Sequence, residues 1–171
     1  NNQLVEAVYL NDLAFYKYSN PDSSTKIGIH DFSEGSTEYI EWAYNSSTGL
    51  GRDVKIYDLT ELDSSTSVLT YRYNNPLEGY TTVPPNNSDI FAVLVDNSTG
   101  KVLSDQIQLS DEIGRENIKH IEATEDGGFS ILYYTNDSYY NENEDRWEND
   151  NKSIFKKFMV ILCSLTLPLQ S

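Results

Sequence analysis

A chain of 171 residues with 38% hydrophobic content can bury one full core, so a single domain is the expectation. Its formal charge of −15, from 27 acidic against 12 basic residues without a basic stripe, repels phosphate backbones and argues against nucleic acid as a partner. Cys163 stands alone, which excludes an intrachain disulfide framework.

Helical periodicity is nearly absent, and Tyr, Val, Ile, Thr and Phe dominate the ordered-looking stretches, so an all-β fold is predicted. In chain order the strand candidates are LAFYKYS at 13–19, KIGIHDF at 26–32, YIEWAY at 39–44, DVKIYDL at 53–59, SVLTYRY at 67–73, DIFAVLV at 89–95, VLSDQIQL at 102–109, IKHIEAT at 118–124 and FSILYYT at 129–135. Between them PDSSTK, YNSSTG, LDSSTS and DNSTGK set Asp or Asn ahead of Ser and Thr, whose side chains bond nearby backbone in tight turns. Aligning LAFYKYS, DVKIYDL, DIFAVLV and SIFKKFM gives a loose repeat; before its last member the polar stretch 136–151 reads as a loop.

Alternation separates two kinds of strand. In VLSDQIQL the apolar Leu103, Ile107 and Leu109 alternate with Ser104, Gln106 and Gln108, the pattern of an outer strand with one wet face. DIFAVLV is apolar on both faces, and so is FSILYYT, with Phe129, Ile131 and Tyr133 on one side and Leu132 and Tyr134 on the other. Such strands require cover above and below, which stacked propeller blades supply; a two-layer β-sandwich is the alternative. The expected domain is 1–171, in irregular blades at about 13–49, 50–88 and 89–153, with 154–171 starting a further strand or tail.

The stretch from Asp89 to Asp137 resembles the blade repeat of large bacterial extracellular proteins: a Phe-containing strand, a Gly turn, an outer strand, a loop, then D-G-G-F and an aromatic. The matching positions are Ile90 and Phe91, Asn97 to Gly100, Ile107 and Leu109, Asp126 to Phe129, and Tyr133 or Tyr134. The overlapping TEDGGFSI, 124–131, is similar to a degenerate Asp-box of sialidase-like propellers, a hairpin-stabilising element away from the catalytic centre. Both resemblances imply a structural hairpin of Thr124, Asp126, Gly127, Gly128 and Phe129. Asp126 is expected to accept backbone hydrogen bonds, Gly127 or Gly128 to take positive φ, and Phe129 to start the inner strand. They also imply surface adhesins or secreted structural proteins, often beside calcium-binding modules.

For chemistry, the acidic cluster offers Asp137, Glu142, Glu144 and Asp145 as calcium ligands, although it lacks the glycine and terminal Glu of an EF-hand loop and reads more readily as a solvated loop. Tyr139, Tyr140 and Trp147 can stack on sugar rings or pin the loop to the sheet. Five sequons, at Asn45, Asn86, Asn97, Asn136 and Asn151, mark N-glycosylation candidates. His30 and His120 lie outside any nucleophile motif, and Glu38 with Glu41, or Glu122 with Asp126, are carboxylate pairs whose separation is invisible in sequence. Arg52, Arg72, Arg115 and Arg146 lack the context of a sialidase carboxylate clamp.

No catalytic residue and no certain cofactor is therefore assigned. Lys156 to Leu169 is too short an apolar run to cross a bilayer and reads as a core strand entering the terminus. The expected function is a non-enzymatic extracellular or cell-surface protein of adhesion, structure or self-assembly, its partners being its own copies, further repeats or glycans. A sialidase-like glycoside hydrolase fragment and a lectin-like carbohydrate-binding domain are the alternatives.

Overall fold

The structure, a computed structural model, describes residues 7–19, 25–40, 54–73, 88–112, 114–141 and 146–160. These contain only strands and turns: β1 (Ala7–Leu10), β2 (Leu13–Ser19), β3 (Thr25–Asp31), β4 (Ser36–Ile40), β5 (Lys55–Glu61), β6 (Thr66–Tyr73), β7 (Asp89–Asp96), β8 (Ile107–Gln108), β9 (Arg115–Ala123), β10 (Phe129–Asn141) and β11 (Arg146–Phe158). Each strand pairs antiparallel with its neighbour in sequence, giving a first sheet β1-β2-β3-β4, a second β5-β6-β7-β8 and a third β9-β10-β11. The protein is all-β. β1 contacts β5 and β5 contacts β9, so the leading strands of successive sheets adjoin as in an open, propeller-like stack.

Two apolar layers hold the stack together. Leu13, Phe15, Ile27 and Ile29 of the first sheet meet Leu69, Tyr71, Phe91, Val93 and Val95 of the second. On the opposite face of the second sheet, Val68, Ile90, Ala92 and Leu94 meet Phe129, Ile131 and Tyr133 of the third. The continuous apolar run of β7 thus feeds both layers, as expected for a strand covered twice. Each fully buried Val, Leu, Ile or Phe contributes about 1.5–3 kcal/mol over its exposed form.

A strand apolar on both faces cannot take its register from alternation. The turn after β7 supplies it. Asp96 Oδ1 accepts the Ser98 N–H at 2.9 Å, the Ser98 hydroxyl at 2.6 Å and the Thr99 N–H at 2.8 Å, closing the chain back on itself. The same arrangement recurs where Asp63 Oδ1 accepts from Ser65 and Thr66 between β5 and β6, and where Asp31 Oδ1 accepts from Ser33 and Glu34 between β3 and β4. An Asp followed by hydroxyl residues therefore fixes three reversals, two of them, LDSSTS and DNSTGK, in turns singled out in sequence and the third, led by Asp31, outside that set.

Several expectations require correction. The polar stretch 136–151 is no loop on the whole: β10 and β11 run through it as one long hairpin, with Asn136 opposite Asn151 and Tyr140 opposite Trp147. β9 pairs with β10 only as far as Asn136, and from there the register is that of β10 with β11. The blade limits also shift, because β7 and β8 belong to the sheet begun by β5 and a cut at 88/89 would divide it. A cut at 153/154 would likewise divide β11. LAFYKYS, DVKIYDL and DIFAVLV fall on the second, first and third strands of their sheets, so they are not equivalent positions.

VLSDQIQL is not a continuous outer strand either. Val102 bridges Val95, Leu103 is 46% exposed, and pairing resumes only at Ile107 and Gln108. The break follows Ser104, whose hydroxyl oxygen accepts the Leu94 N–H in place of a backbone carbonyl. FSILYYT is covered on one face alone among the described residues: Phe129, Ile131 and Tyr133 are buried, whereas Leu132 and Tyr134 are half-buried. The earlier-unnoticed β1 completes the first sheet by pairing Val8 with Phe15.

Candidate functional site

The turn between β9 and β10 is the TEDGG hairpin. Thr124 N–H donates to the Gly128 carbonyl at 2.9 Å and Gly127 N–H to the Thr124 carbonyl at 3.0 Å, and Phe129 begins β10. Gly127 carries the positive φ of 77°. Gly128 is needed for another reason: a Cβ there would collide with the Phe158 carbonyl at the end of β11. Asp126 works differently from the expected backbone clamp. Its Oδ2 meets Lys157 Nζ at 2.7 Å and its Oδ1 accepts the Thr124 hydroxyl at 2.5 Å, so it ties the turn to β11. Lys157 first and Thr124 second hold its pKa down at about 2.

The densest chemistry lies where the second sheet passes into the third. Glu116, at the start of β9, is 0% exposed. Its Oε2 accepts a short hydrogen bond from the Ser110 hydroxyl, and its Oε1 accepts the Glu112 N–H at 3.1 Å. Glu112 in turn accepts the Tyr133 hydroxyl of β10 at 2.7 Å and faces Lys156 Nζ of β11 at 3.4 Å. Ser110 also accepts the Ile90 N–H at 2.8 Å, which stitches β7 to the same loop. One residue further along β9, Asn117 Oδ1 accepts Arg72 Nη1 at 2.7 Å and the Tyr57 hydroxyl lies 3.0 Å away. Arg72 is 1% exposed, so its guanidinium joins β6 to β9 in the interior.

The two carboxyls of this junction are pushed apart. Burial raises Glu116 to about 8, and hydrogen bonding to Glu112 and the charges of Asp89 and Glu112 add to the rise against the Ser110 bond. Burial also opposes ionisation of Glu112, but the Tyr133 hydroxyl, Glu116 and Lys156 outweigh it and lower that group. Burial and the adjoining Glu112 drive the Tyr133 phenol far above its ordinary range, and burial lifts Tyr57 to about 12. Two carboxyls with opposite shifts form a potential acid and base pair. Here, however, each Glu116 oxygen is already engaged by the protein and the group is closed off from solvent. What this arrangement does chemically is hold a proton inside a joint between sheets.

The sequence-predicted residues scatter. Glu142, Glu144 and Asp145 lie outside the described residues, while Asp137 stands in β10 opposite Asp150. No group of three His, Cys, Asp or Glu side chains able to hold a metal occurs among the described residues. Tyr139 and Tyr140 fall in β10 and Trp147 in β11, paired in register with Glu148, Trp147 and Tyr140 respectively. Glu41 also lies outside the described residues. Glu122 accepts the Ser130 hydroxyl and faces His120, and Asp126 is spent on the hairpin, so that carboxylate pair performs separate structural tasks.

Among the sequons, Asn45 and Asn86 lie outside the described residues and Asn136 and Asn151 are exposed cross-strand partners. Asn97 departs from expectation. It is 4% exposed, accepts the Ser67 hydroxyl at 2.6 Å and donates to the Asp63 carbonyl at 3.0 Å, so its amide belongs to the turn architecture and is not a free glycan acceptor.

No family model, no curated protein and no solved structure matches this chain. Among the described residues no helix is long and apolar enough to cross a membrane.

Proposed function

We propose that the chain is a non-catalytic, propeller-like module of an extracellular or surface-exposed protein that acts through contact, by stacking with further blades or with copies of itself. The observation that supports this most is the unequal treatment of sheet faces. The second sheet packs an apolar layer on each face, whereas Tyr9 at 65%, Tyr39 at 42% and Phe155 at 64% exposure stand in water on the sheets that flank it. Tyr9 and Tyr39 lie on the first sheet and Phe155 on the third, so the uncovered faces are the two ends of the stack. Exposed apolar positions at both ends of an open array favour heterologous, head-to-tail association. The resemblance of 89–137 to adhesin blade repeats points the same way.

Sedimentation velocity over a concentration series tests the reading. Wild-type protein is expected to show species larger than monomer that diminish in Tyr9→Ser and Phe155→Ser, with unchanged circular dichroism. A monodisperse monomer at every concentration up to tens of micromolar removes self-stacking.

A further inference from the structure

The outer face of the third sheet carries a small basic recess. Lys119, Tyr134, Asn151, Lys152 and Ser153 line a cavity of about 310 Å³ between β9, β10 and β11. Its position follows from a β-bulge. Leu132 pairs with His120 and the next residue, Tyr133, pairs with Ile118, so Lys119 is the extra residue that no β10 position opposes. A bulged residue leaves the ladder and is re-aimed, which is why bulges recur beside binding sites. Lys119 Nζ accordingly lies 5.3 Å from the centre of the Tyr134 ring and 3.5 Å from Ser153 Oγ.

Charge makes this placement informative. The chain has a formal charge of −15, and the neighbouring lysines of β11 are neutralised, Lys156 by Asp111 and Glu112 and Lys157 by Asp126. Among the described residues Lys119 has no carboxylate within ion-pair distance, and its partners are the Tyr134 ring and the Ser153 hydroxyl. In an acidic protein the exposed Lys119 ammonium leaves a local positive charge at the recess that an anion can meet. Of the other lining groups, the Asn151 amide and Ser153 hydroxyl can bond sugar hydroxyls, and the Tyr134 ring suits the apolar C–H face of a pyranose. The cavity is at the lower end of small-molecule sites, the size of one or two sugar rings.

We propose that this recess binds an acidic saccharide, its carboxylate or sulfate received by Lys119 and its hydroxyls by Ser153 and Asn151. The recess shares the outer face of the third sheet with Phe155, so stacking at that end would cover it and a monomer presents it.

The test uses protein made in a host without N-glycosylation, because Asn151 and Ser153 also form a sequon whose glycan would obstruct the cavity. Titration calorimetry at monomer concentration compares a glucuronate oligosaccharide, a sulfated oligosaccharide, their neutral counterpart and an oligoglutamate peptide. At least one acidic saccharide is expected to bind at least tenfold more tightly than the neutral one, with affinity falling between 50 and 500 mM salt. Lys119→Gln and Ser153→Ala should each weaken it severalfold, while Lys157→Gln leaves it unchanged. Whichever of the two acidic sugars binds identifies the oxyanion. Equal binding of neutral sugar, equal binding of the peptide, an unaltered Lys119→Gln isotherm, or no heat with any saccharide would each overturn the proposal. Sedimentation of the same samples reports stacking separately, so the failure of one reading is distinguishable from the failure of the other.

Discussion

The Glu112 N–H donates to Glu116 Oε1 at 3.1 Å, folding the loop that leaves the second sheet back onto the first strand of the third. Burial keeps Glu116 protonated well above the ordinary carboxyl range, to about 8. Between that value and the unperturbed pKa of 4.5 the folded chain binds a proton that the unfolded chain has released. Stability from this group is therefore fully present below the window and is lost as pH rises through it. A loss on the order of 2–4 kcal/mol is expected, or about 5–15 °C in the unfolding midpoint. Thermal unfolding between pH 5 and pH 9 measures it, and Glu116→Gln, which keeps an acceptor for the Glu112 N–H and cannot ionise, should flatten the slope. A wild-type slope that persists in the variant would assign the dependence to another group.

Arg72 is the second joint. Its Nη1 and the Tyr57 hydroxyl converge on Asn117 Oδ1, so β5, β6 and β9 share one acceptor. Truncation to Leu removes the charge but leaves the amide oxygen and phenol short of a donor in the interior. The expected cost is about 2–4 kcal/mol. Asn117→Ala in the Arg72→Leu background should cost less than the sum of the two single changes, because both remove the same contact. Chemical denaturation of the four proteins completes the cycle, and strict additivity would mean that the residues do not act together.

How much of this was visible beforehand differs by residue. The double cover of DIFAVLV followed directly from apolar residues at consecutive positions, and β2 was legible to the residue because Leu13 and Phe15 alternate cleanly. The junction was hidden for the opposite reason. Glu116 occupies the apolar phase of β9, two residues before Ile118, and Arg72 shares its phase with Val68 and Thr70. A charged residue in an apolar phase was the available signal. Alternation taught the eye to score charge as solvent-facing, and only tertiary partners such as Ser110 and Asn117 reverse that. The long β10–β11 hairpin was missed because residues 136–151 are rich in Asn, Asp and Glu, a composition that reads as a loop, whereas the backbone pairing of β10 with β11 carries no apolar signature there.

The two glycines of the hairpin make different demands, and substitution separates them. Gly127 needs φ of 77° but has open space where a Cβ would stand. Asn tolerates that region, so Gly127→Asn is expected to cost under about 1 kcal/mol. Gly128 is packed against the Phe158 carbonyl. Gly128→Ala must push β11 away, disturbing the stacked Phe129 and Phe158 rings, whose centres are 5.1 Å apart. Overpacking of this kind costs about 1–3 kcal/mol. Urea midpoints should rank wild type first, Gly127→Asn close behind and Gly128→Ala last; a reversed order would show that the backbone angle, not the close approach, governs the turn.

Asn97 connects two of the Asp-led reversals. It takes the Ser67 hydroxyl on one side and gives a hydrogen to the Asp63 carbonyl on the other, so the turn after β7 is latched to the turn before β6. Glycosylation at this amide would require both bonds to break and the side chain to leave the interior, whereas Asn136 and Asn151 already face solvent. Expression in a glycosylating host should therefore give occupied Asn136 or Asn151 and an unmodified Asn97, read by peptide mass spectrometry after enzymatic deglycosylation in oxygen-18 water. Asn97→Ala should lower stability by about 1–3 kcal/mol, since Ser67 then holds a buried hydroxyl without its acceptor. Substantial occupancy at Asn97 in folded protein would mean that glycan transfer precedes closure of this latch and that the latch is dispensable.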